Sequence, residues 1–194
     1  MTQLTETSPT STQPPTTLRL SDCLLYASPV MCTTLIMGSL AIVHSIYAKY
    51  FGIGLTTIAS IILLARVFDA FTDPLMGFLS DRYRVRTGSR KLFVVLGAIS
   101  LVVCAFFLFI PGEFAPFKTV DFESAQLEPV SSLFFLVVLF LFYAAFTLFE
   151  IPHLAWASDI ARSTDDKNRI FTLRSMASSL GILMFMLVPL LPIF

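Results

Sequence analysis

Residues 54–80 read GLTTIASIILLARVFDAFTDPLMGFLS, an apolar stretch that contains three charged side chains, Arg66, Asp69 and Asp73. A bilayer-spanning helix needs about 20 mostly apolar residues, so this stretch is long enough to cross a membrane. It lacks the strict alternation of a barrel strand, and a helix satisfies its own backbone hydrogen bonds in lipid. We therefore interpret it as a transmembrane helix.

Four further apolar stretches of similar length accompany it, near residues 22–47, 92–111, 131–157 and 173–194. Over the 194 residues, 56% are hydrophobic and 13% are charged, against roughly 45–50% and 25% in soluble domains. This composition predicts an all-α membrane protein, a bundle of about five transmembrane helices whose surroundings are the lipid bilayer. The 13 basic and 13 acidic residues balance, so no net field attracts nucleic acid.

The basic residues are distributed unevenly between the connections. Ten of them lie in the N-terminal tail or in the second and fourth connections: Arg19, Arg82, Arg84, Arg86, Arg90, Lys91, Arg162, Lys167, Arg169 and Arg174. Lys49 and Lys118 lie in the other two connections. The positive-inside rule then predicts a cytoplasmic N-terminus and an external loop at 112–130. We expect an integral protein of the plasma (inner) membrane.

The composition of the two ends of the chain leads to two further predictions. Residues 1–21 begin with a run rich in Thr, Ser and Pro, without the basic flank of a signal peptide, and predict a disordered cytoplasmic tail. The last apolar stretch continues to Phe194 without a polar flank. We therefore expect residues 22–194 to be an incomplete N-terminal transmembrane bundle whose partner is a missing C-terminal helical bundle.

The charged side chains of the second stretch need an explanation, because each costs roughly 2.5–3.5 kcal/mol at a helix centre in the membrane. With about 100° per residue, Asp69 lies about 60° and Asp73 about 20° from Arg66 around the helix. The three side chains therefore share one face. A single structural ion pair would account for Arg66 and one aspartate, and it would leave the other carboxylate unexplained.

In the fourth stretch, Tyr143, Thr147 and Glu150 follow the i, i+4, i+7 spacing and also share a face. We expect this face to meet that of the second stretch. Pro74 and Pro152 cannot donate a backbone hydrogen bond, so each frees a carbonyl oxygen one turn earlier. Carboxylate, hydroxyl and carbonyl oxygens are the ligands of hard cations.

Three ionised carboxylates beside Arg66 would carry a charge of minus two, which a bound cation or proton would relieve. The pattern thus predicts a coupling site for a cation. An alternative is a membrane enzyme that uses these carboxylates and His153 as acid and base, but no nucleophile is set beside a base. Both His44 and His153 are candidates for a proton relay. Cys23, Cys32 and Cys104 lack metal or redox spacing and are interpreted as packing residues.

The run ARVFDAFTDPLMG at 65–77 resembles the second-helix signature of the glycoside-pentoside-hexuronide:cation symporters, melibiose-permease-like members of the major facilitator superfamily. The segment after it resembles the superfamily's loop motif between the second and third helices, which acts as a gate. The residues that carry this second resemblance are Gly77, Asp81, Arg82, Gly88, Arg90 and Lys91. An alternative is that this basic segment only sets the topology. The resemblance implies a major-facilitator-type bundle, with five helices of an N-terminal six-helix half.

The same resemblance implies roles for individual residues. Asp69, Asp73 and Thr147 would bind the cation, Glu150 would be shared between cation and solute, and Arg66 would balance charge. The predicted substrate-binding residues are Glu150, Arg174, Thr33 and Tyr143. Thr33 stands where melibiose-type members carry an acidic sugar-binding residue, and Leu154 stands where they carry an aromatic sugar platform.

The function implied is a cation-coupled secondary active transporter of a small polar solute, a sugar or glycoside. The coupling ion would be sodium or a proton, with no cofactor and no metal other than sodium. Two alternatives stay open at this point. One is a transporter of the same superfamily for a lipid-like or other non-sugar solute, and the other is a truncated membrane protein that does not transport.

Overall fold

The computed structural model describes residues 18–111 and 131–187. Within these ranges the chain forms five helices, α1 (Leu20–Tyr50), α2 (Leu55–Thr87), α3 (Lys91–Phe109), α4 (Ser132–Ile160) and α5 (Thr164–Leu187). Each is long and apolar enough to cross a membrane. Even α3, with 19 residues, spans about 28 Å, close to the hydrocarbon thickness of a bilayer. The prediction of an all-helical membrane protein with five transmembrane helices is confirmed.

Helices α1 and α4 extend a few residues beyond the predicted stretches, and α2 and α5 extend by about two turns. α2 continues to Thr87 rather than ending near residue 80, and α5 begins at Thr164 rather than near residue 173. A hydropathy window ends where charged residues begin, whereas backbone helicity continues through them. The basic segment after α2 is therefore mostly helical, and the connection to α3 consists of residues 88–90. Residues 1–17 of the tail predicted at 1–21, the loop at 112–130 and residues 188–194 lie outside the described residues. The last two residues of the predicted tail, Leu20 and Ser21, are helical and begin α1.

Gly88 ends α2 and turns the chain directly into α3. Its φ of 76° lies in the left-handed region, which glycine adopts without steric strain. Its N–H donates to the carbonyl oxygen of Arg84 at 2.7 Å, the usual way of ending a helix at such a residue. This turn brings Arg90 back toward the end of α2, where it takes part in a charged cluster described below.

Helix α4 is the centre of the bundle, because both α2 and α3 pack on it, while α1 packs mainly on α5. The core at one end contains the buried rings of Tyr47, Phe135 and Phe142 together with Leu139. The Tyr47 hydroxyl donates to the carbonyl oxygen of Leu108 at 3.1 Å, so its polar end is also satisfied. The apolar residues that remain exposed on the helices suit contact with lipid.

Two glycines mark the points where helices approach most closely. A Cβ on Gly97 of α3 would lie 2.5 Å from the backbone nitrogen of Phe149 on α4. A Cβ on Gly181 of α5 would lie 2.6 Å from the carbonyl oxygen of Met31 on α1. Small residues at such crossings let the backbones of membrane helices come together.

We expect Gly97→Ala to destabilise the protein by about 1–3 kcal/mol, because the added methyl group meets backbone atoms that cannot rotate away. Thermal unfolding of the purified protein in detergent measures this effect. The matched control is Gly77→Ala on α2, where the nearest atom to a Cβ is Ile151 Cγ2 at 3.8 Å, an ordinary contact. Equal melting temperatures for the two variants would contradict the close α3–α4 crossing.

The charged segment at 165–169 lies in the first turns of α5. Asp166 is buried, with 1% of its surface exposed. Its Oδ1 accepts from the N–H of Leu18 at 3.0 Å, and its Oδ2 accepts from the N–H of Arg162 at 3.3 Å. This carboxylate therefore ties the start of α1 to the turn between α4 and α5.

Asp166→Ala is expected to lower the melting temperature by several degrees, because it leaves two backbone N–H groups without their acceptor. The control is Asp165→Ala, since Asp165 is the exposed neighbour in the same helical turn. Thermal unfolding of both variants is the measurement. A melting temperature of the Asp166 variant equal to that of its control would show that the carboxylate does not hold these segments together.

Candidate functional site

The charged face of α2 meets α4, as the sequence predicts. Arg66 forms an ion pair with Asp69, with 3.2 Å between Nη1 and Oδ2. Its Nη2 donates to the Tyr143 hydroxyl at 3.3 Å, and the guanidinium lies 4.5 Å from the centre of the Tyr143 ring. One turn further along, the Thr147 hydroxyl donates to Asp73 Oδ1 at 2.9 Å. The structure thus brings five of the predicted site residues together along one helix contact.

The two aspartates of this contact are incompletely satisfied. Within residues 18–111 and 131–187, Arg66 is the cation that forms an ion pair with Asp69, and no Lys, Arg or His forms one with Asp73. The Oδ1 atom of Asp69 is buried without a hydrogen-bond partner. With both carboxylates ionised, the cluster carries one negative charge in excess, which is unfavourable in a low dielectric.

The chemistry of this cluster suits a small hard cation or a proton. In the described part of the chain, no three His, Cys, Asp or Glu side chains come together as a metal-binding group. A cation here would therefore depend on the two aspartates, the Thr147 hydroxyl and the carbonyl oxygen of Ala70, which Pro74 leaves without its helical donor. Oxygen ligands of this kind suit alkali cations rather than transition metals.

Glu150 does not join the two aspartates. It forms an ion pair with Arg174 of α5, and the same guanidinium contacts His153 Nδ1 at 2.9 Å. The expected charge of minus two for three carboxylates beside one arginine was therefore wrong, because Arg174 neutralises Glu150. The excess is one negative charge, counted over Asp69, Asp73 and Arg66, and it lies where α2 contacts α4. The Glu150–Arg174 ion pair depends on how α4 and α5 are aligned along their axes, and the hydropathy of the sequence carries no information about that alignment.

A cavity of about 460 Å³ lies between α1, α4 and α5. Three of the four predicted substrate-binding residues, Thr33, Glu150 and Arg174, line it. Its other polar lining consists of hydroxyl groups that the sequence reasoning missed, those of Thr34, Ser175, Ser178 and Ser179. The Thr34 and Ser178 hydroxyls lie 3.2 Å apart and share a hydrogen bond. The sequence does contain a signal for these hydroxyl groups, because the run SMASS at 175–179 is unusually polar for a membrane span.

Tyr143, the fourth predicted substrate-binding residue, is not part of the cavity lining. It belongs to the hydrophobic core, with 2% of its surface exposed. Its hydroxyl accepts from Arg66 rather than facing a solute. The spacing correctly predicted that Tyr143 and Thr147 face α2. The Glu150 carboxylate lies at a similar angle but farther along α4, where it pairs with Arg174 of α5.

A charged cluster joins the end of α2, the start of α3 and the end of α4. The buried Arg90 side chain pairs with Asp81 and donates from Nε to Asp159 Oδ2 at 2.9 Å. Arg84 Nη2 also pairs with Asp159, at 2.9 Å. Burial lowers the pKa of Arg90, but the hydrogen bonds and charges of Asp159 and Asp81 outweigh it and raise the pKa above its usual value. Arg90 is therefore positively charged at any ordinary pH.

The other residues of the predicted gating segment lie around this cluster. Gly77 lies within α2 and faces Ile151 of α4, and Gly88 ends α2. Arg82 and Lys91 are exposed. Ser80 and Asp159 are partners of Arg90 that the sequence reasoning missed. Asp159 lies in another helix far along the chain, so no spacing in the sequence connects it to this segment.

Five membrane helices, ionisable groups buried between them and a polar cavity are features of a membrane transport protein. Residues 25–194 match the family described as MFS/sugar transport protein. The chain belongs to this family, whose members are transporters, so the enzyme alternative is excluded. The resemblance to glycoside:cation symporters is confirmed.

Several curated proteins are similar to the chain. The "Putative glycoside/cation symporter YagG" of Escherichia coli K12 is 28% identical over 168 residues, which are 86% of this chain and 34% of that protein. The "Glucuronide carrier protein homolog" of the same organism is 25% identical over 144 residues, 74% of this chain and 29% of that protein. The mouse "Sodium-dependent lysophosphatidylcholine symporter 1" is 29% identical over 126 residues, 63% and 22% of the two chains.

The chain spans about a third of the length of the first of these relatives. No solved structure gives a significant match.

Proposed function

We propose that this chain provides the first helices of a secondary transporter that couples a sodium ion or a proton to the movement of a small polar solute, a sugar or glycoside. In the intact transporter, these helices would rock against a second bundle, with the solute site near the middle of the membrane. The supporting observation is a pair of aspartates on α2 of which only Asp69 forms an ion pair in the described part of the chain, beside a separate cavity lined by hydroxyl groups and the Glu150–Arg174 pair.

The cation half of the proposal rests on Asp69 and Asp73. Their excess negative charge lies in a membrane helix, where lipid offers no counter-ion. A sodium ion or a proton would neutralise it, and the bound state would then differ in charge from the empty state. A coupling ion shifts a conformational equilibrium when it binds one conformation more tightly than the other. The proposal therefore requires that the neutralised site and the empty site favour different conformations.

The solute half rests on the cavity between α1, α4 and α5. Its hydroxyl groups and its Glu150–Arg174 pair offer both donors and acceptors, which suits a solute with several hydroxyl groups. The names of YagG and of the glucuronide carrier homolog support a glycoside. The name of the mouse relative supports the alternative of a lysophospholipid, for which Val30, Met37 and Phe146 in the same lining offer apolar contact.

The distribution of basic residues supports a cytoplasmic N-terminus. The Arg90 cluster would then lie at the cytoplasmic end of α2 and α4, where it would gate the solute path. A plasma-membrane location agrees with the name of a further relative, the "Inner membrane symporter YicJ" of Escherichia coli K12, which is 41% identical over 59 residues. That match covers 30% of this chain and 13% of the relative.

The test uses the intact protein in proteoliposomes with an imposed sodium or proton gradient. A panel of radiolabelled methyl glycosides is compared with lysophosphatidylcholine as the transported probe. Uptake of a glycoside that either gradient accelerates is the expected result. Faster uptake of the lysolipid than of any glycoside would favour the alternative solute. Uptake rates that neither the sodium gradient nor the proton gradient changes would contradict cation coupling.

A further inference from the structure

The buried imidazole of His153 joins three helices at the edge of the cavity. Only 1% of its surface is exposed. Its Nδ1 lies 2.9 Å from Arg174 Nη1 on α5, and its Nε2 lies 3.1 Å from the carbonyl oxygen of Tyr26 on α1. The ring is stacked between those of Tyr26 and Phe149, with centroid distances of 4.3 and 5.1 Å. Both nitrogen atoms and both faces of the ring are therefore engaged.

The two hydrogen bonds determine which nitrogen carries the proton. A guanidinium donates hydrogen bonds and accepts none, so Nδ1 has to be the acceptor of the Arg174 bond. A carbonyl oxygen only accepts, so Nε2 has to carry the hydrogen that it donates to Tyr26. His153 is thus neutral, in the tautomer with its proton on Nε2.

The other end of the Arg174 guanidinium pairs with Glu150, and both residues line the cavity. Arginine has a long side chain that loses considerable rotamer freedom when it is fixed in one position. His153 is itself fixed by Tyr26 on one side and by ring stacking on both faces. It can therefore supply a rigid acceptor that limits the positions open to the guanidinium.

We propose that His153 is a positioning residue for solute binding, whose Nδ1 holds Arg174 against Glu150 at the wall of the cavity. This inference rests on the proposed function for its solute, and on the hydrogen-bond geometry for the contact itself. His153 does not line the cavity and does not touch the solute. It acts through Arg174, so the bound solute meets a guanidinium and a carboxylate in a fixed arrangement.

Two variants of His153 separate its two hydrogen bonds. His153→Asn keeps an oxygen near the position of Nδ1 and loses the reach to Tyr26. His153→Gln keeps a polar group near the position of Nε2 and loses the acceptor for Arg174. We expect His153→Gln to raise the half-saturation concentration for uptake of a methyl glycoside roughly tenfold relative to the parent protein. We expect His153→Asn to keep a half-saturation concentration close to that of the parent.

Tyr47→Phe serves as the structural control. It removes a buried hydroxyl that donates to the Leu108 carbonyl oxygen at 3.1 Å, in the core and away from the cavity lining, and it keeps the ring. We expect a lower melting temperature with an unchanged half-saturation concentration. Equal half-saturation concentrations for the Asn and Gln variants of His153 would overturn the inference, because the Arg174 bond would then have no effect on solute binding.

A second measurement does not depend on transport. In protein labelled with ¹⁵N-histidine and reconstituted in nanodiscs, the His153 signals are those that disappear in His153→Gln. We expect an unprotonated Nδ1 and a protonated Nε2, and we expect this preference to be lost in Arg174→Leu. A proton on Nδ1, or signals that Arg174→Leu does not change, would overturn the inference. If no probe is taken up at all, the proposed function fails, while the NMR result still decides the role of His153.

Discussion

Asp73→Asn is expected to abolish the stimulation of uptake by the coupling cation while the protein still inserts into the membrane. The Asp73 carboxylate accepts a hydrogen bond from Thr147 and has no ion-pair partner in residues 18–111 and 131–187. Replacing it with an amide removes the excess negative charge, because Arg66 then balances Asp69. The site no longer gains by binding a cation.

The loss of cation affinity in Asp73→Asn should exceed the loss caused by removing the hydroxyl of the neighbouring Thr147. Thr147 offers a neutral oxygen to the cation and also orients Asp73 through its hydrogen bond. Loss of a group that orients a metal ligand typically weakens metal binding 10- to 100-fold. For Asp73, a ligand in the proposal, we expect a loss of at least about 100-fold, measured as the cation concentration for half-maximal uptake. Thr147→Val should weaken the cation by about tenfold, and Thr147→Ser, which keeps the hydroxyl, should bind it nearly as the parent does.

The control for charge is Asp165→Asn, since Asp165 is an exposed aspartate of α5 that is remote from the site in sequence. It should leave cation stimulation unchanged. Full cation stimulation in Asp73→Asn, with normal insertion and expression, would contradict the assignment of this carboxylate.

Arg90→Met is expected to cause a large loss of stability. The Arg90 side chain is 7% exposed and forms ion pairs with Asp81 and Asp159, which join the ends of three helices. Removing one partner of a buried ion pair leaves charge without compensation and typically costs 3–5 kcal/mol. That figure is an upper limit for Arg90, because Asp81 is largely exposed and Asp159 keeps Arg84 as a partner. We therefore expect a loss of about 2 kcal/mol, within the range for hydrogen bonds to charged groups.

Thermal or denaturant unfolding of the purified protein measures this loss, with Arg82→Met as the matched control. Arg82 belongs to the same basic segment but is exposed on α2. Since the pKa of Arg90 lies above its usual value, the loss should not vary between pH 6 and pH 9. Equal stability of the two variants would show that the Arg90 cluster does not hold the helix ends together.

The sequence was sufficient for the number of helices and for the contact between α2 and α4. Apolar stretches of about 20 residues have few alternatives to transmembrane helices. Charged residues in such a stretch have to turn away from lipid, so Arg66, Asp69 and Asp73 could be placed on an inward face. Their meeting with Tyr143 and Thr147 followed from the spacing of polar residues in both helices.

The sequence was insufficient for contacts that depend on helix register and crossing angle. Glu150 was grouped with the aspartates, yet it lies farther along α4, where Arg174 of α5 is within reach and forms its ion pair. Asp159 and Asp166 were missed as partners because both lie next to polar segments that hydropathy assigns to loops. The hydrogen bonds of His153 depend on α1, α4 and α5 together, and no local pattern reports such a meeting.

The most direct test of the cation site is the dependence of protein stability on the cation. The intact protein is unfolded thermally in detergent, with sodium replaced by choline at constant ionic strength, and separately over a range of pH. A cation at about 100 times its dissociation constant stabilises the state that binds it by about 2.7 kcal/mol. We predict a rise in melting temperature with sodium or with acid for the parent protein, and none for Asp73→Asn. An equal rise in both proteins would contradict a cation site built on Asp73.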